Sequence, residues 1–181
     1  MKLIDDDKFD KVWSDFQKNF NFDQGYWFKK QYEKCFNLKD KVFKLYMIDD
    51  KNSFVFEEQF QKEVNSILSR VIDEDIYAID PFHDIWEFNP SELQKSEWSG
   101  HEDTYGDIVS NGFPCYYPNG EDFFFVTKDF SKGILCVPGF GETYPLMFVV
   151  GQELIDLFEK EKQNLSILDF DKKAMKNYKP E

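Results

Sequence analysis

The chain has 181 residues, and its 35 aspartates and glutamates outnumber 22 lysines and arginines, which gives a formal net charge of −13 at neutral pH. A surplus of this size opposes binding to the polyanionic backbones of nucleic acids and to anionic membranes, so we expect neither as a partner. Hydrophobic residues make up 41% and aromatic residues 19% of the chain, which excludes an acidic disordered tail and indicates a domain with its own core.

The N-terminal region carries a helical pattern. Apolar residues recur at helical spacing between Phe9 and Phe20, and three aspartates at 5–7 stand where carboxylates can cap free amide groups and favour the helix dipole. We therefore predict a helix over about residues 6–19. Residues 26–36 fit either a helix or a strand, whereas the alternation over 41–48 predicts a strand.

A second helix is predicted from a cap at Ser53 to about Arg70, because the apolar residues between these positions are spaced by three or four. Two short buried strands follow, at 76–79 and 85–88, with a proline after the second. The next residues, 89–112, have little periodicity, which is typical of a functional or mobile loop.

The C-terminal third reads as strands and one helix. Asn119-Gly120 is a strong hairpin signal, and Gly151 leads into a helix predicted to end near Lys162. Strands are predicted at 113–117, 122–128, 133–137 and 146–150.

These elements indicate the fold class, because consecutive strands joined by short turns form antiparallel sheets. We predict an α+β fold with an antiparallel sheet of about five or six strands and two to three helices packed on one face. Residues 1–168 are predicted to form a single α+β domain. Residues 169–181 are predicted to be a charged C-terminal tail that frays.

The negative charge is concentrated in one stretch. Residues 73–122 hold 13 acids and a single base, Lys95, which is a balance of −12, while the rest of the chain is close to neutral. Such a stretch can be a solvated, solubilising face. It can also be a surface for a basic partner, since charges steer the encounter and aromatic side chains supply burial energy. The large aromatic residues within it include Trp86, Trp98, Tyr105, Tyr116 and Tyr117.

The cysteines and the N-terminus indicate a cytoplasmic protein. Cys35, Cys115 and Cys136 are odd in number and lack CxxC spacing, so we expect small, partly buried apolar side chains in a reducing compartment. The N-terminus turns acidic after four residues, unlike a signal peptide, and the apolar runs of about five residues are too short to span a bilayer.

Candidate catalytic chemistry is sparse. His83 stands between Asp80 and Asp84, and a histidine flanked by carboxylates can act as a general base or a metal ligand. No second histidine stands three or four residues away, and His101 falls in the irregular stretch, so a structural role for His83 is favoured. We predict no metal site and no cofactor, because no phosphate-binding, metalloprotease or nucleophile motif occurs.

Several short motifs resemble a bacterial family catalogued as domain of unknown function 2716. The resemblance implies a fold shared with that family and no established activity. Two positions depart from the family pattern: Pro81 stands where an aromatic is common, and Val137 stands where a histidine is common. The matching motifs, which cover most of the chain in the same order, are Val12-Trp13-Ser14-Asp15-Phe16, Phe20-Asn21-Phe22, Tyr77-Ala78-Ile79-Asp80-Pro81-Phe82-His83, Trp86-Glu87-Phe88-Asn89-Pro90, Tyr117-Pro118-Asn119-Gly120, Lys128-Asp129-Phe130-Ser131-Lys132-Gly133 and Phe148-Val149-Val150-Gly151-Gln152-Glu153-Leu154.

Three functional hypotheses follow. The first is a non-enzymatic acidic protein of immunity or antitoxin type that neutralises a basic toxin domain. The second is a DNA mimic that inhibits a nucleic-acid-binding or defence protein, and the third is an enzyme that uses His83 with Asp80 or Asp84. Under the first hypothesis the residues expected to face the partner are Asp84, Glu87, Glu92, Trp98, Glu102, Asp103, Tyr105 and Asp107.

Overall fold

The computed structural model describes residues 2–49, 58–80, 85–93, 123–137 and 144–177. The helices in these ranges are α1 (Asp6–Phe20), α2 (Gly25–Phe28), α3 (Glu58–Val71), α4 (Pro90–Leu93), α5 (Gln152–Glu161) and α6 (Lys172–Asn177), with a 3-10 turn at Tyr32–Lys34. The strands are β1 (Lys2–Leu3), β2 (Phe43–Ile48), β3 (Ile76–Ile79), β4 (Ile85–Phe88), β5 (Phe123–Thr127), β6 (Gly133–Val137), β7 (Leu146–Val150) and β8 (Ile167–Asp169).

Helix α1 begins and ends where its sequence provides caps. The Asp5 carboxylate accepts a hydrogen bond from the Lys8 amide at 3.0 Å, which satisfies one of the free N–H groups of the first turn. Asn21 ends the helix in the left-handed conformation, with φ of 46°, and its N–H donates to the Gln17 carbonyl. The predicted helix is thus confirmed, and its buried stripe consists of Val12, Phe16 and Phe20.

All eight strands belong to one antiparallel sheet, in the order β1-β4-β3-β5-β6-β7-β2-β8. The predicted α+β class with an antiparallel sheet is therefore confirmed, although the sheet has more strands than the five or six expected. The two edge strands, β1 and β8, are only two and three residues long. Short edge strands limit the unpaired backbone that a sheet offers to other chains.

The helices cover both faces of the sheet, so the prediction that they pack on one face is wrong. Along β7, Met147 and Val149 pack into the cluster that contains α3 and α5, whereas Leu146, Phe148 and Val150 pack into the cluster that contains α1. The physical reason is that the central strands are apolar at successive positions rather than at alternate ones. Both faces must then be removed from water, and each requires its own cover.

Most of the predicted elements in the described ranges are confirmed. The strands at 76–79, 85–88, 133–137 and 146–150 have the bounds expected, and the last predicted helix corresponds to α5. The cap at Ser53, the strand at 113–117 and the Asn119-Gly120 turn lie outside the described residues. The chain after Asp169 does not fray at once, because it forms α6, from which Ala174 and Met175 pack against the core.

Two of the three cysteines are described, and both are buried as predicted. Cys35 belongs to the cluster on the α1 face and Cys136 to the cluster on the opposite face, so the sheet separates them. Cys115 lies outside the described residues. Among the helices that the structure describes, none has the length and apolar character required to cross a membrane.

Phe16 is the centre of the aromatic packing that joins α1 to the sheet. Its ring stacks on that of Phe124 in β5, with centroids 5.1 Å apart and planes within 4°, and it also contacts Trp13 and Phe20. Because Phe16 is fully buried, we expect Phe16→Ala to lower the free energy of unfolding by about 3–5 kcal/mol. Urea denaturation followed by circular dichroism measures this loss as a lower midpoint.

The matched control is Phe28→Ala, since the Phe28 side chain is 71% exposed. We expect this change to cost less than about 1 kcal/mol. Equal losses in the two variants would contradict the assignment of Phe16 as the anchor of α1.

Candidate functional site

Strand pairing brings many chain connections to one end of the sheet. The C-terminal ends of β1, β2, β3 and β6 lie beside the N-terminal ends of β4, β5, β7 and β8. We call this the loop end. The strand ends on either side of 81–84 and of 138–143 therefore lie there. Phe123, where the acidic stretch joins β5, also lies there. A rigid sheet that presents connections at one end is a common platform for binding and catalysis.

Aspartates follow three of the strands that finish at the loop end. Residues 5–7 come after β1, and the Ile4 amide donates to the Ile85 carbonyl at 3.0 Å, which holds this segment against β4. Asp49 follows β2, and Asp80 follows β3. The side chains of 5–7 are exposed and make no ion pair within the described part of the chain, whereas Asp80 is only 3% exposed. The loop end thus carries unpaired negative charge.

Few of the residues predicted to form a site are described. His83, and the partner-facing candidates Asp84, Trp98, Glu102, Asp103, Tyr105 and Asp107, lie outside the described residues. Glu92 belongs to α4, and Glu87 belongs to β4. Glu87 pairs with Tyr77 on β3, and Tyr77 stands three residues before Asp80. Because a strand rises about 3.3 Å per residue, Glu87 and Asp80 are about 10 Å apart along the sheet. The structure does not bring these two carboxylates together.

Glu87 is engaged within the fold. Its Oε1 accepts hydrogen bonds from Lys8 Nζ at 2.5 Å and pairs with Lys128 Nζ at 3.2 Å, and Lys128 also lies 3.5 Å from Asp75. Both ammonium groups stand over the Tyr77 ring, about 6 Å from its centroid. The Glu87 side chain is only 13% exposed. This carboxylate therefore links α1, β4 and the turn after β5 instead of facing solvent.

Electrostatics around Glu87 favour the ionised form. Burial opposes ionisation, but the hydrogen bonds and charges of Lys8 and Lys128 outweigh it, so the pKa of Glu87 lies below its usual value. The same carboxylate raises the pKa of Lys128 against the effect of burial. The exposed acids in the described part of the acidic stretch are Asp73, Glu74 and Asp75, and Asp75 lies 3.5 Å from Lys128.

Trp86 serves the core. It is 2% exposed and packs on the face covered by α3 and α5, so it is not available as an aromatic anchor for a partner.

A second polar network joins α5 to the far edge of the sheet. The Tyr46 hydroxyl donates to Glu159 Oε1 at 2.6 Å, and Lys44 Nζ contacts Glu159 at 2.7 Å and Asp169 at 3.0 Å. Lys162 completes the network through an ion pair with Asp169. Burial and the Glu159 carboxylate raise the pKa of Tyr46 well above its usual value, so the phenol remains a hydrogen-bond donor. This network therefore fastens α5 to β2 and β8.

No group of three or more histidine, cysteine, aspartate or glutamate side chains stands close enough to hold a metal ion in the described ranges. The acids at the loop end are spread over β1, β3 and β2, and β3 and β2 are separated by three intervening strands. An arrangement of this kind creates a broad negative potential rather than a focused coordination site.

The sequence contains one signal for the ion pairs of Glu87, although the prediction placed this residue on a partner-facing surface. Glu87 stands two residues after Ile85, so both side chains point to the face that α1 covers. A carboxylate at such a position requires a cationic partner. The identity of that partner had no local signal, because Lys8 lies 79 residues away along the chain.

We expect Glu87→Gln to lower the free energy of unfolding at neutral pH by about 1–2 kcal/mol, because it leaves two lysines without their carboxylate. Since the pKa of Glu87 is lowered in the folded state, its stabilisation is present above the usual glutamate pKa and is lost as the pH falls through the folded value. The stabilities of the two proteins should therefore converge below about pH 4. Urea denaturation at several pH values measures the difference.

Glu74→Gln is the matched control, since Glu74 is exposed in the turn before β3. We expect a change within about 0.5 kcal/mol at every pH. A Glu87→Gln effect that stays constant from neutral to acidic pH would show that the loss arises from packing and not from the ion pairs.

Comparisons with known proteins provide no family or relative from which a function could be transferred. A scan against protein-family models, a search of curated proteins and a search of solved structures found no match to this chain.

Proposed function

We propose that this protein is a non-enzymatic binding protein that neutralises a basic protein partner, such as a toxin domain, in the cytosol. The observation that supports the proposal is the segregation of charge. Residues 73–122 carry a balance of −12, and this stretch joins β5 at the loop end, where residues 5–7 add exposed carboxylates from a different part of the chain.

The exposed carboxylates of residues 5–7 at the loop end are available to a partner. Residues 5–7 make no ion pair within the described ranges, in contrast to Glu87, whose charge is balanced by two lysines. A surface of unpaired carboxylates attracts a basic protein over several ångströms and raises the rate of encounter. Lysine and arginine side chains of the partner would then form the ion pairs that the chain itself does not supply.

The scaffold suits a role in binding. Both faces of the sheet are occupied by the protein's own helices, so the exposed ends of the sheet and its connections are the places where another molecule can dock. Tyr46 and Glu87, two of the described groups with shifted pKa values, are held in polar networks within the fold. These features favour recognition over catalysis.

The acidic stretch can be tested by charge reversal. We expect immobilised protein to capture a basic polypeptide from a lysate of the source organism and to release it between about 0.05 and 0.5 M salt, because exposed ion pairs are screened. The double variant Glu102→Lys/Asp103→Lys should lose this capture. Mass spectrometry of the eluate measures the capture and its loss. Growth protection is tested by producing the captured protein in cells with and without the present protein and comparing their growth.

The matched control is Asp40→Lys/Asp156→Lys, which changes the net charge equally at two exposed positions outside the acidic stretch. It should retain capture and growth protection. The proposal fails if no basic polypeptide is captured, or if the two double variants behave alike.

A further inference from the structure

A cleft lined mainly by lysines lies in a different part of the chain from the acidic stretch. It encloses about 310 Å³ between the segment after α2 and the C-terminal helix α6. Four of its lining residues are lysines and one is a glutamate, which inverts the charge balance of a chain with 35 acids and 22 bases. The residues that line it are Lys30, Gln31, Glu33, Lys34, Phe170, Lys172, Met175 and Lys176.

The positive charge of the cleft exceeds what its own carboxylate can balance. Glu33 pairs with Lys172 at 3.1 Å, and this ion pair joins the two walls. Lys34 Nζ donates to the neutral Gln31 side chain at 2.7 Å, and Lys176 makes no ion pair within the described residues. The cleft therefore has a net positive charge, which favours a multiply charged anion.

The wall that bears Lys30 and Lys34 is held by the backbone. Lys30 adopts the left-handed conformation with φ of 55°, which is uncommon for a residue with a side chain. The Gln31 amide then donates to the Tyr26 carbonyl at 2.9 Å, and the 3-10 turn that follows is anchored by buried Tyr32. Ligand binding would therefore not have to order this part of the backbone.

The cleft also has an apolar part. Phe170 and Met175 are half-buried and pack against the core on the α1 face. Their backbone amides are satisfied, since the Phe170 N–H donates to the Leu45 carbonyl and the Met175 N–H donates to the Asp171 carbonyl. A fixed apolar surface beside several ammonium groups suits a ligand with a charged end and an uncharged organic end.

We propose that this cleft binds a small organic phosphate. Lysine ammonium groups bind phosphate as point charges, and a chain of phosphates places several negative charges within a space of this size. A phosphate group carries up to two negative charges and a carboxylate only one, so phosphates are the denser match for the ammonium groups of Lys34 and Lys176. The organic part of the ligand would lie against Phe170 and Met175. This site is independent of the partner surface proposed above, and either can fail without the other.

Isothermal titration calorimetry with ATP, in the absence of divalent cations and at about 0.1 M salt, tests the proposal directly. We expect saturable binding to the full-length protein. The double variant Lys34→Glu/Lys176→Glu should weaken the affinity by at least about tenfold, because two attractive charges become repulsive. Inorganic triphosphate should bind more weakly than ATP, because it has no organic part to contact the apolar surface.

The matched control is Lys39→Glu/Lys173→Glu, which changes the net charge equally at exposed lysines in the same two segments but outside the cleft. It should leave the affinity for ATP within about twofold. All four positions are exposed, and thermal unfolding should confirm that both variants remain folded.

Three results would overturn the proposal. One is no saturable binding of ATP, and another is equal weakening by the cleft and control variants. The third is that an oligoglutamate peptide binds with the same affinity as ATP and that this binding also requires Lys34 and Lys176. The occupant of the cleft would then be an acidic peptide. Equal affinities for ATP and triphosphate would overturn the assignment of an organic ligand.

Discussion

The fold depends on the burial of the central strands on both of their faces. In β5, Phe124 packs towards α1 and its neighbour Phe125 packs towards α3 and α5, and both are almost completely buried. Such strands cannot leave one face in water, so two separate covers are obligatory. With 21 phenylalanines in the chain, much of this burial is aromatic, and rings such as Phe16 and Phe124 align face to face. The helices, their caps and their ion pairs all serve to keep these covers in place.

Two-sided burial also determines where charge can stand. The charged residues on the described strands are Lys2, Lys44, Glu87 and Asp169. The half-buried Glu87 carboxylate is neutralised by Lys8 and Lys128. The more exposed Glu159 carboxylate pairs with Lys44 and accepts a hydrogen bond from Tyr46. These two networks attach the cover on each face to the sheet. The carboxylates of residues 5–7 and the ammonium groups of Lys34 and Lys176 make no ion pair within the described ranges, and they stand at the two places where we propose binding.

Local features of the fold could be predicted from the sequence, and long-range ones could not. Helix α1 was predictable because its caps and apolar stripe are encoded within sixteen residues of one another. The second covered face was missed although the apolar runs of the central strands carry its signal. A strand with one face in water would instead alternate apolar and polar residues. The cleft shared by Lys34 and Lys172 could not be predicted from the sequence. These residues come close only because β8 and α6 return the chain to the segment after α2. The acids at 5–7 were read as helix caps, and strand pairing adds that they stand at the loop end.

The two proposed surfaces differ in the range over which charge acts. The net charge of −13 opposes an extended polyanion, because such a ligand meets the field of the whole molecule. A small anion in a cleft meets mainly the charges within a Debye length of about 8 Å. Among the residues that line this cleft, the lysines outnumber the single glutamate. The net charge therefore opposes binding of nucleic acids and anionic membranes, but it does not oppose binding of a small phosphate in this cleft. One acidic chain can present carboxylates to a basic protein and lysines to a small anion, provided that the two surfaces lie further apart than the screening distance.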